Sequence, residues 1–364
     1  MLRPQRTAVG AVAFAIVLAG CSQGSDSTTT TTAPATTTTA IPLATMTTTP
    51  KTGMAVGEQI PATALWALVP GNDLDADRIN LIVAPWGWED HADFEVAASA
   101  VLSWEGNAFL IGEAGEIVTD PADATWAQLG TFAIEPWRSS RDKFNVWITD
   151  VEPETPVAWL NDGEPPFDLP DQSVVTLALH AEVVNPDLTS VAGMDNVFVG
   201  PGQPERPLLG NPFANSMVVV PATYPQVGLR SVPHELGHAL FNLADEYVGQ
   251  QQGFDGREDL SSWPSCAETP EEADEWWGDL VGDVDPMAEI WAAEMKEVGF
   301  SMGDPADLVF FIEVSNVDGG CYDIDGSVRA TFDSLMNDNI PVLGSVNRRW
   351  AEQILGLWEG APRS

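Results

Sequence analysis

Four histidines occur in 364 residues, and two of them frame the short stretch His234-Glu235-Leu236-Gly237-His238. On an α-helix, residues four apart share a face, so both imidazoles can reach one zinc ion. Glu235 then stands beside that ion, where a carboxylate can take a proton from water acidified by the metal and later hand it to a leaving amine. The chemistry is metal-assisted hydrolysis of an amide. The surroundings favour a helix: Ser231 and Pro233 mark a start, Leu236, Ala239 and Leu240 are apolar, and the acids Asp245 and Glu246 follow closely.

A catalytic zinc commonly takes three protein donors and keeps one position open. On an uninterrupted helix Asp245 would lie about 10 Å along the axis from His238, at ~1.5 Å rise per residue, beyond the reach of a shared ion. The helix must therefore end or bend soon after His238 for a carboxylate to return. Asp245 is the first choice of third ligand and Glu246 the alternative; the one that is not a ligand is solvated or orients a histidine. His91 and His180 read as surface or core residues.

The elements that must carry this helix alternate. Asn80–Ala84 reads as a strand, and Phe94, Ala97, Ala98 and Val101 give the next segment one apolar helical face. Residues 104–134 show no clear period. Strands are expected at Phe144–Ile148, Val174–Leu179, Asn196–Val199 (at an edge, where it could align a peptide as an added strand) and Met217–Val220. After Tyr247 a long loop region carries Trp263, Trp276 and Trp277, which either pack a core or line a cleft. A helix at 286–298, a strand at Val309–Val314 and a last helix presenting Val346, Trp350, Ile354 and Leu357 complete the reading. The fold class is α/β (α+β), a twisted mixed sheet with helices packed on it.

The first residues are an address. Arg3 and Arg6 precede an uncharged apolar run from Ala8 to Gly20, and Leu18-Ala19-Gly20-Cys21 resembles the lipobox of a bacterial lipoprotein, in which the cysteine is lipidated after cleavage before it. The resemblance implies export and attachment to the outer side of the cell membrane through Cys21. Residues 21–56 are rich in Thr, Ala and Pro and read as a disordered tether; 57–364 form the folded domain, with an upper lobe to about 243 and a lower lobe from about 244. In an oxidising compartment the two other cysteines, Cys266 and Cys321, pair as a disulfide. With 54 acidic and 15 basic side chains the formal net charge is -39, which disfavours nucleic acid as a partner. A monomer acting on a peptide or protein is expected.

The run from His234 through Leu243, Ala244, Asp245, Glu246 and Tyr247 resembles the IgA-specific metalloendopeptidase family, within the metzincin-like zinc peptidases. Gly320–Arg329 and Ser334–Met336 support the likeness, as do Glu135–Trp137 and Phe144–Trp147, so it spans about residues 78 to 358. It implies a metzincin-like zincin with a backing helix, an active-site helix, a Met-turn and a C-terminal helix. By residue it implies one zinc ion on His234, His238 and Asp245 or Glu246, Glu235 as general base, and Met336 beneath the metal. Two departures stand out: metzincins usually have glycine where this chain has Phe241, and their third ligand where it has Ala244. A phenol, Tyr247 or Tyr322, could support an oxyanion or simply pack in the core. The implied activity is zinc endopeptidase; the rival readings are a non-catalytic surface binding or scaffolding lipoprotein and a zinc amidase acting on cell-wall peptide.

Overall fold

Ile79–Trp86 is buried along almost its whole length, as a strand covered on both faces must be. In the computed structural model it is the middle of a five-stranded sheet made from β1 (Trp66–Ala67), β2 (Ile79–Trp86), β3 (Phe144–Ile148), β4 (Ser173–His180) and β5 (Asn215–Pro221), in the order β5-β4-β2-β3-β1. Only β1 is antiparallel, against β3; Thr176 of β4 aligns with Ile82 of β2 and Met217 of β5. The structure describes residues 51–54, 60–113, 117–153, 167–169, 173–181, 215–221, 230–247, 263–289, 291, 311–321, 327–338 and 340–361. All of these fall within one unit, Met46–Ser364. The expected strand Asn196–Val199, Tyr322 and the segment carrying Cys21 lie outside the described residues.

Because side chains alternate along a strand, β2 divides its apolar residues between two cores. Ile79, Leu81 and Val83 face the main core, which also takes Phe94, Ala97, Ala98 and Val101 of helix α1 (His91–Leu102) and Val232, Leu236 and Leu240 of helix α2 (Ser231–Phe241). Ile82 joins Ile60, Phe167 and Val174 on the other face. The fold is thus mixed α and β, with several sheets and few helices among the described residues. His91 is buried at the start of α1, its ring 5.3 Å from that of Phe94.

Several expectations need correction. Lys51–Met54, in the stretch read as tether, pairs in parallel with Val151–Pro153. Residues 104–134 hold a three-stranded antiparallel sheet of Ala108–Ile111, Ile117–Val118 and Trp126–Leu129, whose strands are too short to show a period. Among the described residues of the expected strand Val309–Val314, Phe311 and Ile312 are helical, Glu313 forms an isolated bridge to Val284, and Val314 exchanges backbone hydrogen bonds with Gly282 and Asp283. Trp263 and Trp277, the latter closing helix α3 (Pro270–Trp277), are fully buried packing residues rather than a cleft lining. Cys266 and Cys321 form the expected disulfide, next to Ala244 and Trp263. No helix among the described residues is long and apolar enough to cross a membrane.

Register in the sheet is fixed by a buried polar group at its lower edge. Asn80 and Asn145 are opposite each other on β2 and β3, and the Asn145 Nδ2 donates to Asn80 Oδ1 at 3.0 Å. Arg78, 2% exposed, donates to Asn145 Oδ1 and to the carbonyls of Gly71, Asp142 and Ala361, tying the last residues of the chain to the sheet. Replacing Arg78 by Met strands these acceptors in a dry site. Arg78→Met is expected to lower unfolding free energy by about 2–4 kcal/mol, read as a lower urea midpoint at unchanged slope.

Candidate metal centre

Helix α2 begins at Ser231, with Pro233 in its first turn, where a missing N–H costs little. It ends at Phe241 because Asn242 takes the left-handed conformation, φ 52° and ψ 40°, one of the few residue types other than glycine that does so readily. The Asn242 N–H donates to His238 O at 3.0 Å and the Leu243 N–H to Gly237 O at 3.3 Å, so the chain folds back over the last turn. Both the turning residue and the returning acid stand one position beyond the places where Phe241 and Ala244 depart from the metzincin pattern. Ala244 is instead buried against the disulfide.

The result is a convergence of three donor atoms. His234 Nε2 is 2.9 Å from Asp245 Oδ1, His238 Nε2 is 3.1 Å from the same oxygen, and the two Nε2 atoms are 3.1 Å apart. The other ring nitrogens settle the tautomers. His234 Nδ1 lies 2.8 Å from Leu335 O and His238 Nδ1 2.6 Å from Leu243 O. A carbonyl only accepts, so each Nδ1 carries the hydrogen and each neutral Nε2 presents a lone pair. With both rings neutral, two lone pairs and a carboxylate oxygen meet with no hydrogen between them, a contact that a shared metal ion or a proton on one Nε2 relieves. A tetrahedral ion with bonds of about 2.0–2.1 Å puts its donors about 3.3 Å apart, close to the spacing seen.

The charges fit the same picture. Burial disfavours a charged His234, but the hydrogen bond to Asp245 and the charges of Glu235 and Asp245 outweigh it and raise its pKa to about 9. Burial pushes the Asp245 carboxyl up, yet its hydrogen bonds with His234 and His238 hold it well below the usual carboxylate range. Without a metal, the protonated form of His234, paired with the Asp245 carboxylate, is favoured at neutral pH.

Glu235 belongs to the same buried group: one ligand atom from each of His234, Glu235 and His238 lies within 4.8 Å of the others, so the group could hold a metal ion. Its Oε1 is 4.0 Å from His234 Nε2, further than Asp245 Oδ1. Asp245 Oδ1 thus lies nearer the two imidazole Nε2 atoms than the Glu235 carboxylate lies to His234. Glu246 is not placed to be a ligand. Its carboxylate accepts from Ser334 Oγ at 2.5 Å and from Asn347 Nδ2 at 2.8 Å, and its burial pushes its pKa up.

Met336 lies under the helix. A Cβ at Gly237 would stand 2.8 Å from the Met336 sulfur, so glycine between the histidines is what lets the thioether approach. The neighbouring Leu335 carbonyl orients His234. The Tyr247 hydroxyl donates to Asp245 Oδ2 at 2.8 Å, which orients that carboxylate. Sequence reasoning missed that link and both carbonyl acceptors. Asn242 directly after an apolar helix was the one available signal, as a helix stop. No protein-family model matches the chain, and no curated protein matches it.

Removing the Tyr247 hydroxyl frees Asp245 Oδ2 while leaving all three donors. Tyr247→Phe is expected to weaken zinc binding on the order of 10-fold, measured by competition with a chromophoric chelator.

Proposed function

We propose that this chain is a zinc endopeptidase, related to the IgA-specific metalloendopeptidase family and metzincin-like in fold, exported and held at the membrane by lipid on Cys21. The observation that carries the reading is the return of Asp245 Oδ1 to within 3.1 Å of both imidazoles of the His234/His238 pair. Two histidines and a carboxylate are a donor set suited to zinc with one position left for a reactant. The turn bearing Met336 beneath Gly237 supports the metzincin-like assignment.

When bound, zinc supplies Lewis acidity that polarises a carbonyl and acidifies water. The protein supplies the rest. Leu335 O and Leu243 O keep the imidazoles in the donor tautomer, and Tyr247 aims Asp245. Glu235, buried and beside the donors but outside their triangle, takes the proton of the attacking water and returns it to the leaving amine. Burial of the group keeps these interactions in a low dielectric, where fixed charges act strongly.

The test is hydrolysis of an unstructured protein by the zinc-loaded chain. Glu235→Gln is expected to cut the rate by about 10²-fold to 10⁴-fold with zinc content unchanged. Zinc bound to both forms with no cleavage by either would favour the surface binding lipoprotein, and cleavage of cell-wall peptide alone would favour the amidase.

A further inference from the structure

Glu246 is a buried carboxylate, 1% exposed, that the proposed reaction does not use. Such a group is retained at a cost in desolvation, so its partners indicate what it does. They come from separate parts of the chain. Its carboxylate joins Ser334, in the turn before helix α4 (Leu335–Asp338), to Asn347 of helix α5 (Ser345–Leu355). Its backbone N–H donates to Met336 O at 2.9 Å, and its carbonyl accepts from Arg329 Nη1 at 2.6 Å. Gly320, at φ 113°, brings its backbone so near that a Cβ there would be 2.6 Å from the same carbonyl.

These contacts reach the imidazoles through few bonds. Ser334 Oγ, which donates to Glu246, also accepts from the Met336 N–H at 3.1 Å, and Leu335 between them holds His234 Nδ1. Helix α5, which supplies Asn347, also supplies Trp350, whose Nε1 donates to Phe241 O at the end of α2. The two sides of the Asn242 turn, the helix α2 and the irregular returning segment, are thus pinned to the same two supports.

We propose that Glu246 is a positioning residue: by bridging Ser334 and Asn347 it fixes the distance between Asp245 and the two imidazoles, and so sets metal affinity and geometry. The inference rests on reading His234, His238 and Asp245 as the ligands. In Glu246→Gln a single amide oxygen replaces the two carboxylate oxygens that accept separately from Ser334 Oγ and Asn347 Nδ2, so one of the two contacts must be remade. Pairing it with N347D restores a donor and an acceptor at that contact.

The experiment titrates Co²⁺ into the metal-free full chain and its variants, recording affinity and the visible spectrum, with thermal unfolding of each metal-free form alongside. The expected result is a parent with a tetrahedral Co²⁺ spectrum, Glu246→Gln binding about 10- to 100-fold more weakly with a shifted spectrum, and E246Q/N347D recovering most of the affinity. Ser334→Ala, which removes one bond only, should shift both readouts less and in the same direction, and serves if Glu246→Gln does not fold. Affinity and spectrum unchanged in the variants, beside a parent that binds, overturn the positioning role alone. A parent that takes up no Co²⁺ overturns the ligand reading and this inference with it.

Discussion

Two imidazole lone pairs and a carboxylate oxygen lie about 3 Å from one another in a buried place, and that contact is tolerable only around a positive charge. Much of the surrounding structure answers to it. Carbonyls of Leu335 and Leu243 orient the rings, Tyr247 orients the acid, and Met336 fills the space under Gly237. Each partner alone is ordinary, and together they leave the donors little freedom to turn away.

The returning acid depends on where the helix stops. One residue more of helix rotates the chain by about 100° and advances it about 1.5 Å, so a stop at Asn242 selects Asp245 and turns Glu246 to the opposite side. The disulfide and the buried Trp263 pack against Ala244, the residue before Asp245. Such a staple holds a segment that has no regular hydrogen-bond ladder of its own.

What could be read from the sequence follows the reach of its signals. The histidines four apart, the apolar faces of α1 and α5 and the strand Phe144–Ile148 are local patterns, and each appears where its period put it. Asp245 and Glu246 could not be separated, because their difference lies in Asn242 and in partners about a hundred residues away, Ser334 and Asn347. The tautomer-fixing carbonyls left no trace in residue type, since every residue has one. Tyr247 was visible as a phenol near the site, but the direction of its hydroxyl depends on the turn that the sequence left open. Strands of two residues, such as Val328–Arg329, are set by their partners rather than by any period.

The most direct test of a three-donor centre is anomalous diffraction at the zinc absorption edge from crystals of the zinc-loaded protein. The structure predicts a single strong peak bonded to His234 Nε2, His238 Nε2 and one oxygen of Asp245, each at about 2.0–2.2 Å. A peak held by Glu246 in place of Asp245, or no peak between the two histidines, would contradict it.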